Sequence, residues 1–390
     1  MLALSMLVHA LNNGEARTPP MGFNDWNELA RHYRPWSGGL NESLILLIAK
    51  ALVSSGLAAK GYNYVNLDCG YSAGAINSGK PLEVNATKFP SGMRWLGVRL
   101  HRVGLRFGIY SSGKHCCDRN VRLGMEAADA RLFASWGVDY VKYDDCGSTT
   151  ESFESMRAAL NATGRPMVYS IHSPCTHHPI ICTDGPDPRR SVDLSNSWRT
   201  TNDISNSFAA VLDRAKTTDG YAKLAGPGAW NDPDMLEVGN GLSDAEGRSH
   251  FSLWCLLKAP LLIGTDLTAA SETTLATLGN LHAIAVNQDA LGEQGRLRAE
   301  QSGEWQLWVG PLSDGCVAAL FVNLRPAGSP IGRWFSWSEL GIPYNQSTDV
   351  FDLWADGKLV AHAAVGTLQF VAAGGNDCAF YRLCPSLPHL

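Results

Sequence analysis

Up to about residue 290, short runs of apolar and β-branched residues alternate with segments whose apolar positions recur at helical spacing. Tyr62–Leu67, Leu105–Tyr110, Val138–Tyr143, Pro166–Ile171 and Pro260–Ile263 read as strands. Leu44–Ser55, Gly124–Ser135 and Ser152–Ala162 read as helices between them. Repeated strand-then-helix units imply a parallel sheet with covered faces. About eight such units fit between residues 15 and 290, which is the length of a (β/α)₈ barrel.

After Asn287-Gln288-Asp289 the texture changes. Trp305–Val309, Val317–Val322, Val350–Trp354 and Thr367–Val371 are strand-like runs separated by Gly, Pro, Asn and Asp clusters, with no clear helix among them. The expected organisation is an α/β chain: a (β/α)₈ TIM barrel over residues 15–292 and an antiparallel β-sandwich over 293–390, preceded by a candidate leader segment, 1–14.

Composition narrows the function classes. A 390-residue chain with 45% hydrophobic and 18% charged residues is globular with a large core. Its formal net charge of -5 gives no footprint for nucleic acid. No run of apolar residues is long enough to span a bilayer. Met1–Ala10 is apolar apart from Ser5 and His9, and Val8-His9-Ala10 loosely resembles a signal-peptidase site, although no basic residues precede the run. Asn41, Asn85, Asn161 and Asn345 each open a glycosylation sequon. The chain has ten cysteines, and no CxxC pair among them has zinc-ligand spacing. Together these features favour disulfides and an oxidising, secretory-route destination: secreted, cell wall, or vacuolar and lysosomal.

The chemistry concentrates at predicted strand ends. The run Tyr140-Val141-Lys142-Tyr143-Asp144-Asp145-Cys146 is a buried strand that terminates in a lysine and a carboxylate. A barrel carries its active site where its strands end, so Trp26, Asp68, Tyr110, Lys142 with Asp144, His172, Arg199 with Asp203, and Asp232 with Asp234 are read as one converging set. Carboxylates, two basic groups and aromatic faces suit a neutral polyhydroxylated ligand such as a sugar. Retaining glycoside hydrolysis needs one carboxylate to attack and another to protonate the leaving oxygen. Asp144, kept ionised by Lys142, suits attack, and Asp203 suits the acid, with helix N-capping before Ile204 as its bland alternative. Two rival chemistries are weaker. A hard cation held by Asp68, Asp144, Asp232 and Asp234 would compete with Lys142 and Arg199 for the same carboxylates, so no metal or cofactor is expected. Gly70-Tyr71-Ser72-Ala73-Gly74 matches GxSxG, but a loop-like segment follows where a nucleophile elbow needs a helix.

Thr18–Asn27, Tyr64–Asp68, Phe133–Cys146, Ser197–Ile204 and Gly226–Gly239 together resemble glycoside hydrolase family 27, the eukaryotic α-galactosidases and α-N-acetylgalactosaminidases. The resemblance implies a barrel with a C-terminal β-sandwich, anomeric retention without a metal, and a glycan substrate ending in α-galactose. It implies Asp144 as nucleophile and Asp203 as acid/base. It implies Trp26, Asp68, Tyr110, Lys142, Arg199, Asp234 and Met235 as sugar-pocket residues. It also implies a disulfide from Cys146 to Cys116 or Cys117, and it says nothing of oligomeric state. Three departures stand out. Cys69 occupies the place of a second aspartate after Asp68; the early disulfide of the family loses its partner, because no cysteine precedes Cys69; and His172-Ser173-Pro174-Cys175 stands where α-galactosidases usually have Cys-Glu-Trp-Gly. That loop senses the substituent on sugar carbon 2 in the family. The departures leave α-N-acetylgalactosaminidase, β-L-arabinopyranosidase and a non-catalytic carbohydrate binder as alternatives to an α-galactosidase.

Overall fold

Eight short strands form one parallel sheet: β1 (Met21–Asn24), β2 (Tyr64–Leu67), β3 (Arg106–Ser112), β4 (Tyr140–Asp144), β5 (Val168–Ile171), β6 (Ser197–Arg199), β7 (Trp230–Asp232) and β8 (Leu261–Ile263). The computed structural model describes residues 13–27, 39–73, 79–114, 121–172 and 188–386. Residues 1–12 of the expected leader, Gly74, Cys116, Cys117, Cys175, Cys182 and the loop that begins at Ser173 lie outside the described residues. The strand order β7-β6-β5-β4-β3-β2-β1-β8 curls the sheet until β8 lies beside β1. The circle is completed just past β7 by a parallel bridge between Leu236 and Ile263. Two hydrogen bonds hold it, Leu236 N–H to Leu262 O at 2.8 Å and Gly264 N–H to Leu236 O at 3.0 Å.

The helices around the sheet start where side chains satisfy their first amide groups. α1 (Glu42–Ser54) is capped by Asn41, whose Oδ1 accepts from Leu44 N–H at 3.0 Å. α2 (Met93–Arg102) and α3 (Glu126–Trp136) follow β2 and β3. α4 (Thr150–Ala162) opens with a reciprocal cap between Thr149 and Ser152. After α5 (Pro188–Leu194) and α6 (Phe208–Asp219), α7 (Asp244–Leu256) repeats that device with Ser243 and Glu246, and α8 (Glu272–Leu278) and α9 (Leu281–Asn287) complete the ring.

Period-two alternation sorts each barrel strand into an inward and an outward set. On β4 the outward Tyr143 meets Phe153 of α4 edge-on at 5.4 Å. The inward Tyr140 meets Tyr64 of β2 at 5.5 Å, and these two rings with Val168 fill the barrel's lower interior. Lys142 and Asp144 belong to that inward set, one and two layers higher, so the apolar floor ends where the charged residues begin. Gly108 of β3 keeps the interior open, because a Cβ there would overlap the Asn66 side chain.

Beyond the barrel, β9 (Arg296–Gln301), β10 (Trp305–Pro311), β11 (Val317–Asn323), β12 (Ile331–Ser336), β13 (Thr348–Asp352), β14 (Lys358–Ala364), β15 (Thr367–Ala372) and β16 (Cys378–Pro385) are antiparallel. A six-stranded sheet ordered β14-β13-β16-β11-β10-β9 faces the β12-β15 pair across a core that includes Trp305, Leu307, Phe321, Phe335 and Phe370. The alternate residues Trp308, Leu320, Val322 and Phe380 join the barrel's own core. Around α7 the contact is polar too: Arg248 pairs with Asp377 at 2.9 Å, Ser249 Oγ donates to Asn376 O at 2.5 Å, and Trp354 Nε1 donates to Ser252 Oγ at 3.0 Å. Cys316 and Cys384 form a disulfide within this domain. Among the described residues no helix is long and apolar enough to cross a membrane.

Candidate active site

Strand register brings the charged residues together. Tyr110 of β3 lies beside Lys142 of β4, and Ser112 beside Asp144. Arg199 of β6 lies beside Asp232 of β7. At this end of the barrel a cavity of about 210 Å³ is lined by Trp26, Asp68, Cys69, Tyr110, Lys142, Asp144, Asp145, Cys146, His172 and Asp203. Clefts for drug-sized ligands run to about 300–1,000 Å³, so this one suits a single small ring. Arg199, Asp234 and Met235 line a smaller space beside it, with Lys142 and His172 common to both.

Asp68 is saturated with donors. Its Oδ2 accepts from Lys142 Nζ at 2.8 Å and Asn24 Nδ2 at 3.1 Å, and its Oδ1 from the Cys69 amide at 2.9 Å. The Asp68 amide in turn donates to Asp25 Oδ1 at 2.5 Å. Asp25 is 2% exposed. Burial and then the neighbouring Asp68 charge push its carboxyl up to about 8, so it holds a proton at neutral pH. Sequence reasoning passed over Asp25; the available signal was a carboxylate directly after the apolar strand Met21–Asn24.

The Asp144 carboxylate accepts at Oδ1 from the Asp145 amide at 2.9 Å and faces His172 Nδ1 at 2.9 Å. Burial by itself would raise its pKa, but the Lys142 charge and the His172 hydrogen bond outweigh burial and hold it well below the usual carboxylate range. Lys142, partly buried, is pushed above its ordinary value by Asp68 and Asp144 against the opposing effect of burial, and its ammonium lies 5.5 Å from the centre of the Tyr110 ring.

Asp203 sits in a different setting. Its side chain is 53% exposed and lies 3.2 Å from Arg199. Burial pulls its pKa upward and so does Asp144, but Arg199 and then His172 and Lys142 prevail, and the net direction is downward. The N-cap alternative fails: α6 starts at Phe208 and is capped by Ser207. The loop is tied to the barrel wall instead, through Ile204 N–H to Asp234 Oδ2 at 2.7 Å and Arg199 to Asp234 at 3.0 Å. Asp234 has φ +87, a strained conformation for a residue with a side chain, and its backbone is pinned by Asp232 Oδ1 at 2.8 Å and Trp254 Nε1 at 2.7 Å.

The remaining expectations are also placed. Cys69 is not a free thiol: it is disulfide-bonded, as is Cys146. The expectation that Cys69 had lost its disulfide is therefore corrected, because its sulfur is bonded although no cysteine precedes it in the chain. Ser72 pairs with Val84 in an antiparallel bridge, so it does not sit on a strand-to-helix elbow. The four aspartates weighed as cation ligands do not gather; among the described residues the cluster able to hold a metal is Asp144, Asp145 and His172.

A barrel that collects two carboxylates of unlike environment, basic groups and aromatic faces around one sugar-sized cavity has the make-up of a glycoside hydrolase. The family model for α-galactosidase A matches residues 18–289, and that for the α-galactosidase C-terminal β-sandwich domain matches 302–383. The α-galactosidase of Coffea arabica is 43% identical over 385 residues, covering 96% of each chain. That of Cyamopsis tetragonoloba is 41% identical over 350 residues, 88% of this chain and 81% of the relative. The crystal structure of α-galactosidase I from Mortierella vinacea superposes with a TM-score of 0.84 at 31% identity, covering 96% of this chain and 99% of that one. The chain belongs to the α-galactosidase family.

Proposed function

We propose that the chain hydrolyses terminal α-D-galactosyl residues of glycans by double displacement, with Asp144 as nucleophile and Asp203 as acid/base. The hydrolase class follows from the family; the assignment of roles is carried by the meeting of Asp144 and Asp203 in one cavity, the first enclosed beside Lys142 and His172 and the second open to solvent. Asp144 is kept anionic by Lys142 and His172, as a nucleophile must be. Asp203 reaches solvent and feels the Asp144 charge. To serve first as an acid, Asp203 must be covered by the bound galactoside so that loss of solvent offsets the Arg199 charge that holds its pKa down in the free protein. Once Asp144 is esterified its charge is gone, the upward push on Asp203 ends, and Asp203 becomes the base that activates water.

Trp26 and Tyr110 offer ring faces to the sugar, while Asp68, Lys142, Arg199 and Asp234 with the flanking Met235 supply the polar and apolar wall. A secretory-route glycoprotein is the accompanying reading. It is supported by the disulfide cysteines and by the exposure of Asn161 and Asn345, whereas the Asn41 side chain is engaged as a helix cap. The test is a panel of nitrophenyl α-galactoside, N-acetyl-α-galactosaminide and β-L-arabinopyranoside, with the first-formed anomer read by proton NMR. Turnover of the α-galactoside with α-galactose released first is expected; β-galactose released first, or preference for another member of the panel, refutes the proposal.

A further inference from the structure

His172 is the last described residue after β5, and its backbone N–H donates to Tyr143 O at 3.0 Å, which keeps it in register with β4. The ring is 4% exposed and points Nδ1 at Asp144 Oδ1, 2.9 Å away. An ionised carboxylate only accepts, so Nδ1 carries the hydrogen. The Asp145 amide donates to the same oxygen. The His172 and Asp145 hydrogen bonds therefore converge on Oδ1, which directs Oδ2 toward bond formation, with the Tyr110 hydroxyl a further hydrogen-bond neighbour of this carboxylate.

We propose that His172 is a positioning residue for Asp144 that selects Oδ2 as the attacking oxygen and speeds the second, hydrolytic half of the reaction. The inference rests on the assignment of Asp144 as nucleophile. In the first half, a lone pair of Oδ2 forms the bond to the anomeric carbon, and the glycosidic bond breaks toward its oxygen, which takes the Asp203 proton. Oδ1 becomes the ester carbonyl oxygen, a weaker acceptor, and the His172 hydrogen bond slackens. In the second half, water attacks the anomeric carbon and gives its proton to Asp203, and the pair in the carbon–Oδ2 bond returns to Asp144. The negative charge that reappears spreads onto Oδ1, where the His172 N–H and the Asp145 amide already point. A donor in place before the charge arrives lowers the barrier to its arrival. Lys142 serves the same carboxylate from its own strand through its charge, but its hydrogen bond is committed to Asp68.

The proposal predicts a split that a purely structural role would not produce. On a dinitrophenyl α-galactoside, whose leaving group makes the first half easy, His172→Ala should lower kcat by about ten- to hundredfold, the scale of a hydrogen bond to a charged group. KM should fall in parallel, leaving kcat/KM within about threefold of the parent. The galactosyl ester should accumulate on the peptide containing Asp144, visible by mass spectrometry of quenched enzyme. Added imidazole should restore kcat, and His172→Gln, which keeps an N–H donor, should retain most of it. A fall in kcat/KM equal to that in kcat, with KM unchanged and no adduct, overturns the proposal. If His172→Ala does not fold, His172→Leu carries the same test, because it fills the space without a donor and should lower kcat and KM together; parental values of both in a folded His172→Leu refute the role. An adduct on Asp144 in the parent with no split in the variants removes His172 alone. Absence of turnover by the parent, or an adduct on another carboxylate, removes the reading of the site itself.

Discussion

Replacing Asp25 by asparagine should stabilise the protein near neutral pH while changing little in acid. Asp25 is buried, and its carboxyl is pushed from 3.8 up to about 8, first by burial and then by Asp68. Between these values the native chain holds a proton that the unfolded chain releases. Its contribution to stability is therefore complete below pH 3.8 and is lost as pH rises toward 8. From pH 4.5 to 7.5 the span is three units at about 1.4 kcal/mol each, a ceiling of about 4 kcal/mol. Adjustment of Asp68 and Lys142, the charged groups that face Asp25, takes back part of this, so about 2–4 kcal/mol is expected. Asparagine is the neutral isostere: its amide oxygen accepts from the Asp68 amide as Asp25 does now, and it never ionises. At about 2 cal/mol/K of unfolding entropy per residue, the gain corresponds to a difference of about 3–5 °C in melting temperature at this chain length. The assay is calorimetric melting of parent and Asp25→Asn at pH 4.5 and 7.5, in which all other titrations cancel between the two proteins. A melting-temperature difference that is the same at both pH values would refute the reasoning, because it would mean that Asp25 is already ionised in the native state.

Three further outcomes follow from the site. Asp144→Asn should fold with parental stability and lose all but about a few per cent of turnover, since an amide forms no glycosyl ester; steady-state kinetics free of parental contamination decide it. Asp203→Ala should lose far more activity on an alkyl galactoside than on a dinitrophenyl galactoside and should yield galactosyl azide when azide is added. Equal losses on both substrates with no azide product would leave Asp203 a positioning residue. Chelation by EDTA should leave kcat/KM unchanged, because Asp144 and His172 are already paired with each other; loss of activity restored by a divalent cation would make the Asp144, Asp145 and His172 cluster a metal site.

Barrel strands β2, β3, β4, β5 and β8 were legible in the sequence because they stand out as short apolar runs between helical periods, whereas β1, β6 and β7 are only three or four residues long and carry polar positions that break the run. β10, β11, β13 and β15 were legible for a related reason, in that each is rich in apolar, aromatic or β-branched residues between turn-forming clusters. β9, Arg-Leu-Arg-Ala-Glu-Gln, lies at the sheet edge with no fully buried position, and edge strands of that kind carry no hydrophobic signature. β12 hides its pattern another way, since it exposes Trp334 and buries Phe335. Within the site, strand position told which side chains gather but not which of them touch. The contact between His172 and Asp144 depends on the stagger of β4 against β5, and the burial of Asp25 depends on β2, more than forty residues away. Asp203 looked like a cap because Asp before an apolar residue commonly is one; the helix begins a turn later than local sequence suggests. The bonded state of Cys69 was not legible, because a disulfide depends on a second cysteine brought close by the fold and not on the residues beside Cys69.

A hoop fastened at one clasp opens at the clasp first. The parallel sheet is continuous from β7 round to β8, and between those two strands the fastening is the Leu236–Ile263 bridge. α7 spans that gap, and the outer sheet grips α7 through Arg248, Ser249 and Ser252. Among the described residues the C-terminal domain lines no part of the cavity, yet its contacts with α7 brace the stretch where the hoop is fastened. Asp234, two residues before the clasp, anchors the loop that carries Asp203, whereas Asp144 sits three strands away on the continuous side. Loosening the outer sheet is expected to part Asp203 from Asp144 before the barrel unfolds, so that, on the proposed roles, inactivation would begin at a surface remote from the cavity.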